Sequence, residues 1–195
     1  MDTIFLDIET TGLDAQIHRP IDIAFKILDA NTHEVKASFQ SLIKWPEEVW
    51  KARDPLSIEI NGYAWQDISL GIEPEEAGHL IKETFSRVPI VRGQAVFICQ
   101  NPSFDRVFFN QLIPVYTQEK LNWPYHWLDF ASMYWAKQVQ QSIEKKQPLS
   151  EKMSLSKNSI AQTYGLPGES SPHRAMNGVD HLIQCYLTVL YNLFS

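Results

Sequence analysis

Residues 4–8 form a short apolar run interrupted by Asp7, and Glu9-Thr10-Thr11-Gly12 follows with turn chemistry. The segment reads as a strand running into a loop. A strand this apolar buries what it carries, and a lone buried carboxylate is costly. Side chains two apart on a strand share a face, so Asp7 and Glu9 are placed to point into one pocket at the strand's end. Two hard oxygen ligands held in this way suit Mg²⁺ or Mn²⁺. A solvated strand end, with Glu9 capping the turn, accounts for the same two residues as well.

The rest of the chain alternates. PIDIAFKIL at 20–28 and the run 35–44 are two more β-rich stretches, joined by Asp29-Ala30-Asn31-Thr32-His33, which predicts an antiparallel meander. Residues 45–61 loosen into short helical pieces. Glu73-Pro74-Glu75-Glu76 opens a helix with an acidic first turn and an apolar face of Ala77, Leu80, Ile81 and Phe85. QAVFICQ at 94–100 is a buried strand feeding a helix with Phe104, Val107, Phe108 and Leu112. Residues 126–130 are a short strand, with Asp129 at its end, ahead of a helix through Val139. QQSIEKKQPLSEK at 140–152 is expected to be a solvated connector. A helix over 154–164 stops at Gly165, and a last helix starts near Asn177 and buries Val179, Leu182, Ile183, Tyr186, Leu187 and Leu190. Three leading strands followed by alternating strands and helices predict an α/β fold with a mixed central sheet flanked by helices. The 195 residues are expected to form a single domain.

Composition narrows the function classes. Seventeen Lys and Arg against 23 Asp and Glu give a net charge of −6, so a polyanion is gripped at a local site and not by net charge. Cys99 and Cys185 lie in apolar stretches without the spacing of a zinc or redox motif, as expected of two buried thiols in a reducing cytoplasm. No basic region precedes an apolar run at the amino terminus, and no stretch approaches the ~18 apolar residues of a membrane span. Nothing chooses between a single chain and a homodimer.

Two further residues carry chemistry. Asp105 stands one turn into the helix that follows the 94–100 strand, and strand ends of α/β sheets are where sites assemble. The helix dipole alone also explains an acidic residue there. His173 lies in the loop before the last helix, where a lone histidine is usually a surface residue.

Taken in order, FLDIETTGL at 5–13, QNPSFDRVFF at 100–109 and PHRAMNGVDHLIQCYL at 172–187 resemble the three exonuclease motifs of the DEDD family in its histidine-bearing, DnaQ-like (DEDDh) branch. Ile60-Asn61-Gly62-Tyr63 is similar to the family's Ile-His-Gly-Ile segment. The pair Leu128-Asp129 looks like the strand before its fourth helix, and residues 155–166 look like its small penultimate helix. The resemblance covers almost the whole chain. It implies a ribonuclease H-like fold and removal of nucleoside monophosphates from 3′ ends of single-stranded DNA or RNA with two Mg²⁺ or Mn²⁺ ions. Asp7 would bridge the ions, Glu9 would ligate the deeper one, Asp105 would hold the second directly or through water, and His173 would be the general base. The same resemblance implies that Thr10, Thr11 and Gly12 offer backbone donors to the terminal nucleotide, that Leu13 wedges against its base, and that Asn61 contributes to substrate binding. Phe104 and Phe108 are expected to be core. Structural packing is likewise expected of Trp45, Trp50 and Trp65, with stacking on bases as the alternative.

One position departs from the pattern. The family's last aspartate stands five residues after the histidine, where this chain has Gly178, and Asp180 comes two residues later. On a regular helix Asp180 points roughly 200° away from Gly178. Three readings follow: a site with three carboxylates, a helix start loosened at Gly178 so that Asp180 turns inward as catalytic and metal ligand, or a degenerate site in a module that binds nucleic acid or nucleotide without cleaving. In the first, Gly178→Asp would restore the ligand.

Overall fold

A computed structural model describes residues 1–193. Its sheet is built on β1 (Asp2–Thr10), flanked on one side by β2 (Pro20–Asp29) and β3 (Val35–Leu42), on the other by β4 (Ala95–Cys99) and β5 (Trp127–Asp129), in the order β3-β2-β1-β4-β5. The first three strands are antiparallel, the predicted meander, while β4 runs parallel to β1 and β5 parallel to β4. The helices are α1 (Glu47–Lys51), α2 (Pro55–Asn61), α3 (Trp65–Ile68), α4 (Pro74–Arg87), α5 (Pro102–Leu112), α6 (Val115–Lys120), α7 (Phe130–Lys145), α8 (Lys157–Thr163) and α9 (Ala175–Tyr191).

Because β1 is central, both of its faces are covered, and its alternation divides the molecule in two. Ile4, Leu6 and Ile8 pack with Ala77, Ile81 and Phe85 of α4 and Phe108, Phe109 and Leu112 of α5. Phe5 faces the other way, into Ala175, Val179, Leu182, Cys185 and Val189 of α9 and Ile160 and Ala161 of α8. Each fully buried side chain of this kind contributes about 1.5–3 kcal/mol. Asp7 and Glu9 continue the Phe5 face, so the strand period aims both toward α8 and α9.

The parallel pairing of β1 with β4 ends at Phe5 and Ile98. Beyond it β1 runs on alone on that side, which opens a crevice at its carboxyl end beside the start of α5. Two expectations are corrected here. Residues 140–145 are not a connector but the last turns of α7, whose polar helix formers extend it to Lys145. The helix expected over 154–164 begins only at Lys157, where Ser156 caps it by accepting from the Ser159 N–H. No helix among the described residues is long and apolar enough to cross a membrane.

Candidate active site

A cavity of about 300 Å³ opens at the end of β1, lined by Asp7, Glu9, Gln100, Phe104, Lys157, Glu169 and His173 among others. A second, of about 160 Å³, lies beside it against Leu13, Ile60, Asn61 and Phe104, and the two share Ile8, Glu9 and Phe104. Phe104, expected as core, is half-buried: it packs against the core and also lines both cavities. Phe108 is fully buried, as expected. Trp45 donates from its indole N–H to Pro20 O (2.7 Å), and Trp50 and Trp65 pack together.

The carboxylates are held at an electrostatic cost. Burial pushes the Asp7 carboxyl up to about 6, against the pull of the Lys157 ammonium. Burial, and then the Asp7 charge, push Glu9 up to about 8. Asp105 is 3% exposed; burial and then Asp7 raise it well above the carboxylate range, although its own N–H and that of Ile8, on the unpaired edge of β1, donate to it. Asp105 is therefore near Asp7 but behind the cavity wall.

His173 is placed by a buried network that sequence patterns alone do not show. Asp22 of β2 is fully buried and accepts from Tyr63 Oη (2.6 Å) and from the Ala175 N–H (2.9 Å), which fixes the first residue of α9. The Arg174 guanidinium stacks on the Tyr63 ring, 3.8 Å from its centroid, and donates to Asn61 O. The His173 N–H donates to Ile60 O (3.0 Å). The turn that lets residues 60–63 do this needs Gly62 at φ 62°, where it ends α2 in the left-handed region. The imidazole reaches the cavity with Nδ1 3.9 Å from Glu169 Oε1.

One expected site residue is corrected. Asp180 is not brought to the cluster: its side chain is 53% exposed and pairs with Lys26 of β2. The helix is regular through Gly178, so two residues turn Asp180 away from the site. The Thr11 N–H donates to Arg19 O (2.9 Å) and the Gly12 N–H to Thr10 Oγ1 (3.3 Å), so the closure of the loop itself uses those donors. Thr10 Oγ1 donates to Gly12 O (2.7 Å). Asn61 is 1% exposed; its amide donates to Thr10 O (3.1 Å) and accepts from the Tyr63 N–H (3.3 Å), which binds loop to loop. Leu13, 73% exposed at the rim of the second cavity, is free to meet a ligand.

Two residues that sequence reasoning missed stand opposite Asp7. Lys157 is 8% exposed and contacts Glu169 Oε2 (2.9 Å) and Gly178 O (3.2 Å). Burial alone would lower the pKa of its ammonium, but the Asp7 and Glu169 carboxylates outweigh burial and raise it. A Cβ at position 178 would lie 2.6 Å from Asp7 Cγ and 3.1 Å from Glu169 Oε1. Glycine is thus what lets the two carboxylates approach this face of α9. The available signal was Lys157 itself, a lysine on the buried face of α8 in register with Ile160 and Ala161.

Among the described residues no three His, Cys, Asp or Glu side chains are close enough to cage a metal ion. The residues nevertheless fit a hard divalent cation. Asp7 and Glu9 open into one cavity with their carboxyls destabilised by burial. Mg²⁺-like ions are commonly bound by one or two carboxylates together with waters and substrate phosphate, without an all-protein cage.

No family model and no curated protein sequence matches the chain. Solved structures share its fold. The nuclease domain of 3′hExo, a DEDDh family member bound to rAMP, has a TM-score of 0.70 at 12% identity over 98% of this chain and 92% of that one. Cell-death related nuclease 4 (CRN-4) has a TM-score of 0.72 at 12% identity, covering 99% of this chain and 64% of its own. The zinc-bound form of the E. coli ExoI–ssDNA complex has a TM-score of 0.73 at 15% identity, covering 98% and 41%. The chain therefore spans less than two thirds of CRN-4 and less than half of ExoI. At these identities the likeness is one of fold: the mixed five-stranded sheet with flanking helices is the ribonuclease H-like fold of nucleic-acid exonucleases.

Proposed function

We propose that this chain is a single DEDDh-type exonuclease domain that removes nucleoside monophosphates from the 3′ end of single-stranded DNA or RNA. The observation that carries the reading is the pair of adjoining cavities. One holds Asp7, Glu9 and His173; the other is an apolar slot lined by Leu13 and Ile60, and the two share Ile8, Glu9 and Phe104. A terminal nucleotide divides in the same way, with its scissile phosphate at the carboxylates and its base against Leu13.

Asp7 and Glu9 would hold divalent metal, with Asp105 behind them. When bound, the metal supplies Lewis-acid stabilisation of phosphate charge and a more acidic attacking water, and it reverses the local charge of an acidic protein. His173 takes the proton of the attacking water at Nε2, since Nδ1 is turned toward Glu169. The clamp of residues 60–63 on His173 and Arg174 holds the imidazole in place. Structures sharing the fold have been solved with rAMP and with single-stranded DNA and zinc, which supports a nucleic-acid substrate and a divalent ion here. A second reading, binding without turnover, draws on Gly178 standing where the family pattern has aspartate.

Matched DNA and RNA oligonucleotides, incubated with Mg²⁺, Mn²⁺ or chelator, test the proposal. Metal-dependent mononucleotide release is the expected result. Tight, metal-dependent binding with an intact oligonucleotide would select the second reading.

A further inference from the structure

Lys157 is not a surface lysine that drifted toward acids. Ile160 and Ala161, one turn along α8, are fully buried in the core, which fixes the helix face that carries it. Its ammonium has three donors. Glu169 Oε2 takes one at 2.9 Å and Gly178 O takes another at 3.2 Å, while the side chain also lines the cavity with Asp7 and Glu9. Glu169, whose side chain is 5% exposed, is anchored by that pair, and its other oxygen lies 3.1 Å from the point a Cβ of residue 178 would occupy. On the α9 side of the cavity, then, the backbone offers no aspartate, the Glu169 carboxylate is already paired, and a fixed positive charge is present. A divalent ion placed there would have to displace an ammonium or sit against it, and like charges a few ångströms apart in a buried site repel strongly.

Building on the proposed nuclease reading, we propose that Lys157 is a resident cation that takes the place of one of the two divalent ions, so that the site binds a single ion on the Asp7–Glu9 side. Glu169 is the positioning residue that keeps the ammonium against Gly178.

The test is Mn²⁺ stoichiometry in the full chain without substrate, read by calorimetry and by the electron paramagnetic resonance of free Mn²⁺ after chelator treatment. One ion per wild-type chain is expected. Lys157→Gln should take up a second ion, or bind the first at least tenfold more tightly, and Lys157→Arg should keep the wild-type count. Binding by Lys157→Gln where the wild type binds no ion would overturn the single-ion site. Two ions per wild-type chain overturn the proposal, and this measurement stands even if Lys157→Gln does not fold. One ion at equal affinity in wild type and in folded Lys157→Gln, checked by circular dichroism, overturns the role of Lys157 and leaves the nuclease reading intact. No ion in any form overturns both.

Discussion

Replacing Gly178 by alanine adds a methyl group 2.6 Å from Asp7 Cγ and 3.1 Å from Glu169 Oε1. Carbon atoms in contact sit ~3.5–4.0 Å apart, so the overlap with Asp7 is about 1 Å and the carboxylate must swing away. Inside α9 the alanine itself gains about 1 kcal/mol of helix propensity. Overpacking costs about 1–3 kcal/mol. The net change in stability is therefore within about 2 kcal/mol, a shift in Tm of at most about 8 °C for a chain of this size. The site is expected to suffer far more: Mn²⁺ affinity falls at least tenfold, about 1.4 kcal/mol, and cleavage falls with it. Gly178→Asp should act in the same direction, because its Cβ meets the same atoms. The restoration expected from the motif register alone is thereby reversed. Thermal melts paired with Mn²⁺ calorimetry read both effects, and a Gly178→Ala protein with wild-type metal affinity and cleavage, or a Gly178→Asp protein that gains either, refutes the reasoning.

His173→Ala should lower turnover by about 10²–10⁴-fold with little loss of oligonucleotide affinity, as a general base acts on the transition state; equal loss of affinity at unchanged turnover would make it a substrate contact. Asp180→Ala removes a surface ion pair with Lys26 and should cost no more than about 1 kcal/mol in urea melts, with cleavage unchanged. Asp7 and Glu9 titrate at about 6 and about 8 in the folded chain against ordinary values of 3.8 and 4.5. The folded state therefore binds more protons across this window, and in chelator stability should fall as pH rises from about 4 to about 8. Added Mn²⁺ should offset the fall and release protons on binding; a flat or rising chelator profile contradicts the electrostatic description.

The strand and helix order was legible because each element carries its own period and end signals: the meander, the Asn101-Pro102 helix start and the apolar stripe of α9 all appear where the pattern places them. The end of α7 was not, since polar residues that favour helix also describe a loop. Asp7, Glu9 and His173 share a cavity as the motifs imply, because strand alternation and a short loop fix their directions. No spacing reveals that the Thr11 and Gly12 N–H groups have partners within the loop. Asn61 ties the two loops together while it also lines the second cavity. Lys157 and Glu169 meet because the loop after α8 folds back on the start of that helix, where Asn158 holds the Glu169 N–H; they are twelve residues apart and on no shared period.

If the carboxylates at the end of β1 hold the metal for hydrolysis at a 3′ end, neutralising one of them stops cleavage. A single strand labelled at its 5′ end, followed in time with Mn²⁺, tests it most directly when wild type and Asp7→Asn are run together. The wild type should give a ladder shortening from the 3′ end, with nucleoside monophosphates as the released product, and the strand should stay intact with Asp7→Asn or chelator. Products that persist unchanged in Asp7→Asn, or no products from the wild type in any metal, would contradict it.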